Sequence, residues 1–155
     1  MILTTHALIG AALGKNIQNP WIVAIVAVLL HFVFDHFRHG EYVESSDKKT
    51  GVKSTWWKIA LDMLGAVAII YTISYFHHFS LAIAKSMAIG VFFSILPDFS
   101  TVLYWKFRWS FLKKIHDFHV WCHRYPPFAK ERAWNFRNAR NDILFSVIAI
   151  ILLVI

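Results

Sequence analysis

The chain has a single cysteine, Cys122, among 155 residues. One thiol excludes a disulfide framework and a thiolate metal site. Charge is also scarce: 16% of residues are charged, where a soluble domain carries about 25%. Acidic groups are the rarest, nine Asp and Glu against 16 Lys and Arg, for a net charge of +7. A basic leader followed by a small-residue cleavage site is missing from MILTTHALIG, so no cleavable signal peptide is expected. What fills the chain instead is apolar. Hydrophobic residues make up 57% and aromatics 17%, with seven tryptophans and fourteen phenylalanines. This composition points to an integral membrane protein.

The basic residues fall in two blocks. Arg38, Lys48, Lys49, Lys53 and Lys58 form one, and Lys106 through Arg140 form the other; only Lys15 and Lys85 lie elsewhere. Basic loops beside apolar segments follow the positive-inside rule and suit anionic lipid headgroups. Membrane lipids, not nucleic acid, are therefore the expected partners. The oligomeric state is not legible.

One stretch organises the rest: WIVAIVAVLLHFVFDHFRHG, Trp21 to Gly40. It reads as an apolar helix to about Phe37, with Pro20 at its start. His31, Asp35 and His39 recur every fourth residue, which places them on one helical face. A titratable group within an apolar helix is costly unless it is paired or binds an ion. The bland alternative is a wet helix end, hardest to defend for His31 among Leu29, Leu30, Phe32 and Val33.

Before it, residues 3–14 read as a short helix, capped by Thr4 or Thr5 and ended by Gly14. At that length it is half-spanning or re-entrant, since a crossing needs about 20 residues. Its small residues permit close helix contact, and His6 is its one titratable group. After it, residues 41–54 read as a polar connection, and Trp56 and Trp57 mark an interface. A helix follows over 58–76 with Asp62 near its start, then a tight His77-His78 link. The next helix runs over 80–96 and closes at Pro97-Asp98. Residues 99–141 form a basic, amphipathic segment. There His116, His119 and His123 share a helical face, and Pro126-Pro127 ends it. Residues 143–155 are a last apolar segment, short for a crossing.

With both basic loops on the cytoplasmic side, these His and Asp residues come to one depth. The expected fold is thus a single all-α, polytopic membrane bundle of about four main helices plus the short N-terminal one. Imidazoles and carboxylates together suit zinc first, then iron or manganese, as one or two ions. A bound ion would acidify its water for nucleophilic attack. Arg108, Lys113, Lys114 and Arg124 are the candidates to hold a phosphate or phospholipid headgroup.

THALIG around His6, HFVFDHFRHG, and LPD at Leu96 to Asp98 resemble the predicted inner-membrane metal-dependent hydrolases of the LexA-regulated type. More distantly, the HxxxD element is similar to that of zinc-dependent phospholipases C. The resemblance implies a helical protein of a prokaryotic inner membrane with a His/Asp metal centre and hydrolysis of a phosphoester. Residue by residue it carries over His6, His31, Asp35 and Asp98. Ser100 stands where those hydrolases have a second Asp, and their His-Arg-Gly and Thr-His-Ser element has its nearest substitute in His116 to His123.

The sequence-based expectation is therefore a membrane-embedded hydrolase acting at the cytoplasmic face on a small-molecule, lipid or lipid-linked phosphoester. His6, His31, Asp35, Asp98, His119, His123 and His116 are the expected ligands. Asp62 and His39 are candidate bases or supports. The alternatives are a proton or metal-ion relay, a b-type haem protein, and a scaffold with structural metal.

Overall fold

Glycine decides the centre of the structure. In the computed structural model, α1 (Leu3–Ile17) lies against α4 (Leu81–Phe107) with backbones nearly touching. A Cβ on Gly10 would overlap the carbonyl of Gly90, and one on Gly14 would overlap that of Ser86. Small residues allow this approach, which apolar helices use where van der Waals contact replaces solvent exclusion. α1 also packs on α2 (Pro20–Asp35), α3 (Lys48–Phe76) and α6 (Phe136–Val154). Nine of its residues, from Thr5 to Gly14, are buried. The short first helix is thus the axis of the bundle and not a half-buried appendage.

The structure describes residues 1–155 apart from 18, 42–47 and 128, and gives the backbone alone for 48–54. The expected basic side chains Lys48, Lys49 and Lys53 lie outside what is described. Among the described residues every regular element is helical. α5 (Ser110–Cys122) and a 3-10 turn (Lys130–Arg132) complete the order.

Two helical stretches, Thr55–Phe76 and Leu81–Phe107, are long and apolar enough to cross a membrane. α2 is apolar but shorter. α6 carries Arg137, Arg140 and Asp142 in its first half. The outward faces are apolar: Ile25, Leu29 and Val33 on α2, Leu61, Leu64 and Tyr71 on α3, and Leu144 and Ile151 on α6 are exposed. These exposed apolar side chains and the two long apolar helices fit a membrane protein.

Several boundaries differ from the sequence expectation. Thr4 and Thr5 do not cap α1: the hydroxyl of Thr4 donates to the Asp62 backbone carbonyl at 2.7 Å, and that of Thr5 faces Ser146 at 3.0 Å. α1 continues past Gly14 to Ile17. α3 begins at Lys48, inside the expected polar connection. α4 does not close at Pro97 but runs to Phe107, where Arg108 caps it in the left-handed region (φ 57°). α2 stops at Asp35. His39 therefore leaves the expected helical stripe and returns on the following loop.

Candidate metal centre

α2 starts where Pro20 follows Asn19, whose side chain accepts from the Trp21 and Ile22 amides. Its last turn presents His31 and Asp35 together, His31 Nε2 3.0 Å from Asp35 Oδ2. Both are fully buried. From α5, His119 Nε2 reaches the same oxygen at 2.9 Å, and His123, just past its end, stands at 3.5 Å. From α1, His6 Nε2 lies 3.1 Å from Asp35 Oδ1, and the His6 and His31 rings stack at 4.1 Å. The Met1 nitrogen donates to Oδ1 at 2.5 Å. α4 adds Asp98, whose Oδ1 is 3.6 Å from His119 Nε2.

The opposite ring nitrogens fix the tautomers. Backbone carbonyls only accept, so a histidine nitrogen facing one must carry the proton. His31 Nδ1 donates to the Ser94 carbonyl at 2.7 Å, His123 Nδ1 to the His119 carbonyl at 2.8 Å, and His39 Nδ1 to the Phe37 carbonyl at 2.7 Å. His119 Nδ1 meets the Thr101 hydroxyl at 3.0 Å. In neutral rings, the Nε2 atoms of His31, His123 and His39 are bare lone pairs. Those of His31 and His123 face an acceptor-only carboxylate oxygen. Burial lowers the pKa of His123 to about 4, against the raising effect of the Asp35 charge. Burial likewise depresses that of His39, with the N-terminal charge adding to it. Lone pairs converging on a carboxylate oxygen call for a proton or a metal cation between them. Outer hydrogen bonds that orient ligating imidazoles have this same arrangement.

Among the described residues two groups of side chains could hold an ion: His31, Asp35, Asp98 and His119, with ligand atoms all within 4.8 Å of one another, and Asp35, His39 and His123. Imidazole nitrogens and carboxylate oxygens together are donors that could hold a metal ion.

Backbone geometry on α4 supports the site. Pro97 lacks an amide, which leaves the Phe93 carbonyl, in the preceding turn and one residue before Ser94, without its helical donor. In that turn Ser94 offers its carbonyl to His31, and its hydroxyl donates to the His6 carbonyl at 2.7 Å. One serine thus ties α1, α2 and α4 together.

Other expected site residues stand apart. Asp62 accepts from the Thr4 amide at 3.1 Å and holds the start of α1; it is not among the grouped ligands. His116 stacks on Tyr104 at 4.8 Å and also stays out of both groups. Lys113 pairs with Asp117 at 2.5 Å on the surface. Arg108 lies over Tyr104, and Arg124 over Tyr125. Lys114 is exposed.

Sequence reasoning missed Glu41, Arg132 and Asp142. Arg132 is buried, forms an ion pair with Glu41, and donates to the Tyr125 carbonyl at 3.1 Å. Burial lowers its pKa to about 10. The Glu41 amide donates to the Arg132 carbonyl at 2.8 Å. Asp142 accepts from the Ile2 amide at 3.0 Å and the Gly40 amide at 3.4 Å. It thereby fastens the loop that carries His39. The signal available for Glu41 was its place two residues after His39.

A cavity of about 480 Å³ opens beside the cluster. Asp98, His119, His123, Glu41 and Arg132 line its polar end. Ile59 and Met63 of α3 and Ile95, Phe99, Val102 and Trp105 of α4 form its apolar wall. Comparison with protein families, with curated proteins and with solved structures finds no match.

Proposed function

We propose that the protein is a membrane-embedded metal-dependent hydrolase that cleaves a phosphoester of a lipid or other amphipathic substrate. The observation that carries this reading is the convergence of the Nε2 atoms of His31, His119 and His123 on Asp35 Oδ2. A divalent ion bound there, zinc first, supplies Lewis acidity and an acidified water.

The chain's own residues do the rest. Asp98 is the partly exposed member of the group, 29% accessible at its side chain, so the cluster is open toward the cavity. The cavity volume lies within the roughly 300–1,000 Å³ of small-molecule sites. Its apolar wall comes from the two longest apolar helices, which suits a substrate with a hydrocarbon tail and its ester at the polar end. Trp56 and Trp105 are among the cavity's lining residues, a residue type favoured at interfacial depth. Arg108, Lys114 and Arg124 lie on the exposed basic surface and attract anionic headgroups. In this reading α3 and α4 cross a prokaryotic inner membrane, α2 and α6 complete a four-helix bundle around α1, and the basic segments face the cytoplasm. The side-by-side rings of His6, His31 and His119 on one carboxylate do not favour haem, whose axial ligands stand on opposite sides of a flat cavity.

Elemental analysis of detergent-purified protein beside a His31→Ala/Asp35→Ala double variant is the test. Near-stoichiometric metal in the parent and none in the variant supports the reading, followed by hydrolysis of long-chain phosphodiesters. Absence of metal in the parent overturns it.

A further inference from the structure

The loop after α2 carries a buried histidine with an unused nitrogen. His39 is 3% exposed. Its Nδ1 donates to the Phe37 carbonyl, and its Nε2 has no hydrogen-bond partner among the described residues. That atom points toward Glu41 Oε1, 3.8 Å away. His123 Nε2 lies 3.9 Å from the same oxygen and 3.5 Å from Asp35 Oδ2. The His39 and His123 ring centroids are 5.3 Å apart.

The ligand atoms of Asp35, His39 and His123 lie within 4.8 Å of one another, close enough to hold an ion; Glu41 is outside that group and stands beside it, near both imidazoles. Donors bonded at about 2.0–2.1 Å in a tetrahedron lie roughly 3.3–3.4 Å from one another. The atoms are too far apart for hydrogen bonds and too close, in a buried site, for unrelated lone pairs.

We propose that Asp35, His39, His123 and Glu41 form a second divalent-metal site, with Asp35 bridging its ion to the one held by His31, Asp98 and His119. This deepens the hydrolase reading and rests on its metal centre. Asp35 Oδ2 is the shared atom: His31, His119 and His123 all approach it. Paired ions about 3.5–4 Å apart are a recurrent device for phosphoester cleavage, because one can hold each of the attacking and leaving oxygens.

Glu41 is prepared for a ligand's role. Its backbone is paired with Ala133 in an isolated parallel bridge. Its carboxylate is oriented by Arg132, itself anchored on Tyr125. A carboxylate held by an outer donor is how ligating oxygens are aimed. Asp35, Asp98 and Glu41 bring three negative charges, while two divalent ions and Arg132 bring five positive ones. The excess favours an anionic substrate at the polar end of the cavity.

The two sites differ in how their ligands are anchored. The first draws its ligands from α2, α4 and α5. In the second, His39 and Glu41 lie beyond the end of α2, and His123 lies past α5. The second ion therefore exchanges faster and binds more weakly.

The test uses the full chain, purified in detergent, stripped by chelation and titrated with Zn²⁺ and separately with Mn²⁺. Two ions per chain are expected, with two distinct affinities, and the Mn²⁺ form gives the electron paramagnetic resonance spectrum of a coupled pair. Glu41→Gln and, independently, His39→Asn keep the first ion and weaken the second by about tenfold or more. Helix content by circular dichroism of each metal-free variant matches the parent. A parent that binds one ion overturns the second site and leaves the hydrolase reading standing. Two ions with unchanged affinity in Glu41→Gln overturn Glu41 as a ligand. No ion at all overturns both readings.

Discussion

The Nε2 atoms of His31 and His119 lie 3.2 Å apart. The His31 proton is committed to the Ser94 carbonyl on the far side of its ring. His119 is held from behind by Thr101. With Asp35 and Asp98, the pair could hold a metal ion.

Thr101→Val removes the hydroxyl behind His119 while keeping its shape. Zn²⁺ affinity at the first site is expected to fall about 10–100-fold, the usual effect of losing an outer hydrogen bond. Competition against a chromogenic chelator measures it; an unchanged affinity would show that Thr101 does not orient the ring.

Gly10→Ala forces a methyl against the Gly90 carbonyl, backbone that has little room to yield. The expected loss is about 1–3 kcal/mol, as for other overpacked cores. Gly65→Ala is the internal control. Nothing lies within 4 Å of the added methyl, and a helical glycine replaced by alanine gains about 0.5–1 kcal/mol. Thermal unfolding in one detergent should move in opposite directions for the two.

Burial depresses His123 from 6.5 to about 4. A depressed folded-state pKa means that the unfolded chain takes up the proton first. The stability this neutral imidazole contributes is complete above about pH 6.5 and is lost as pH falls toward about 4. Metal-free protein should thus hold a level melting temperature down to about pH 6.5 and lose it below. His123→Asn should flatten part of that slope. A parent curve flat to pH 4 would contradict the burial of this ring.

Met63→Trp fills the apolar wall of the cavity without touching a ligand. Metal content should stay at the parent level. Hydrolysis of a long-chain phosphodiester should drop at least tenfold, while a short-chain analogue is turned over as before. Equal loss on both chain lengths would place the tail elsewhere.

His31 and Asp35 were legible because a helix makes residues four apart neighbours and apolar flanks leave them no other use. Asp98, His119 and His123 were singled out as His and Asp residues expected at one depth, and the structure brings all three to Asp35 or its neighbours. Rotation about the helix axis is not readable in that way. Asp62 has a comparable depth but turns toward Thr4, and His116 turns toward Tyr104. Glu41 was hidden for another reason. It sits in a stretch with no periodicity, and its role depends on Arg132, distant in sequence and drawn in by an isolated bridge. The buried centrality of α1 was hidden too. Its small residues announced close contact, but not that contact would come from four directions at once.

His31 and Asp35 precede His119 and His123 by more than half of the chain. During synthesis the carboxylate is finished long before the imidazoles of α5 exist. An ion captured early would have few donors and would escape. Retention would begin only once α5 had docked, so a loaded centre would certify that the chain had been translated through residue 123 and packed. A cell that discards metal-free copies would, in effect, be inspecting assembly.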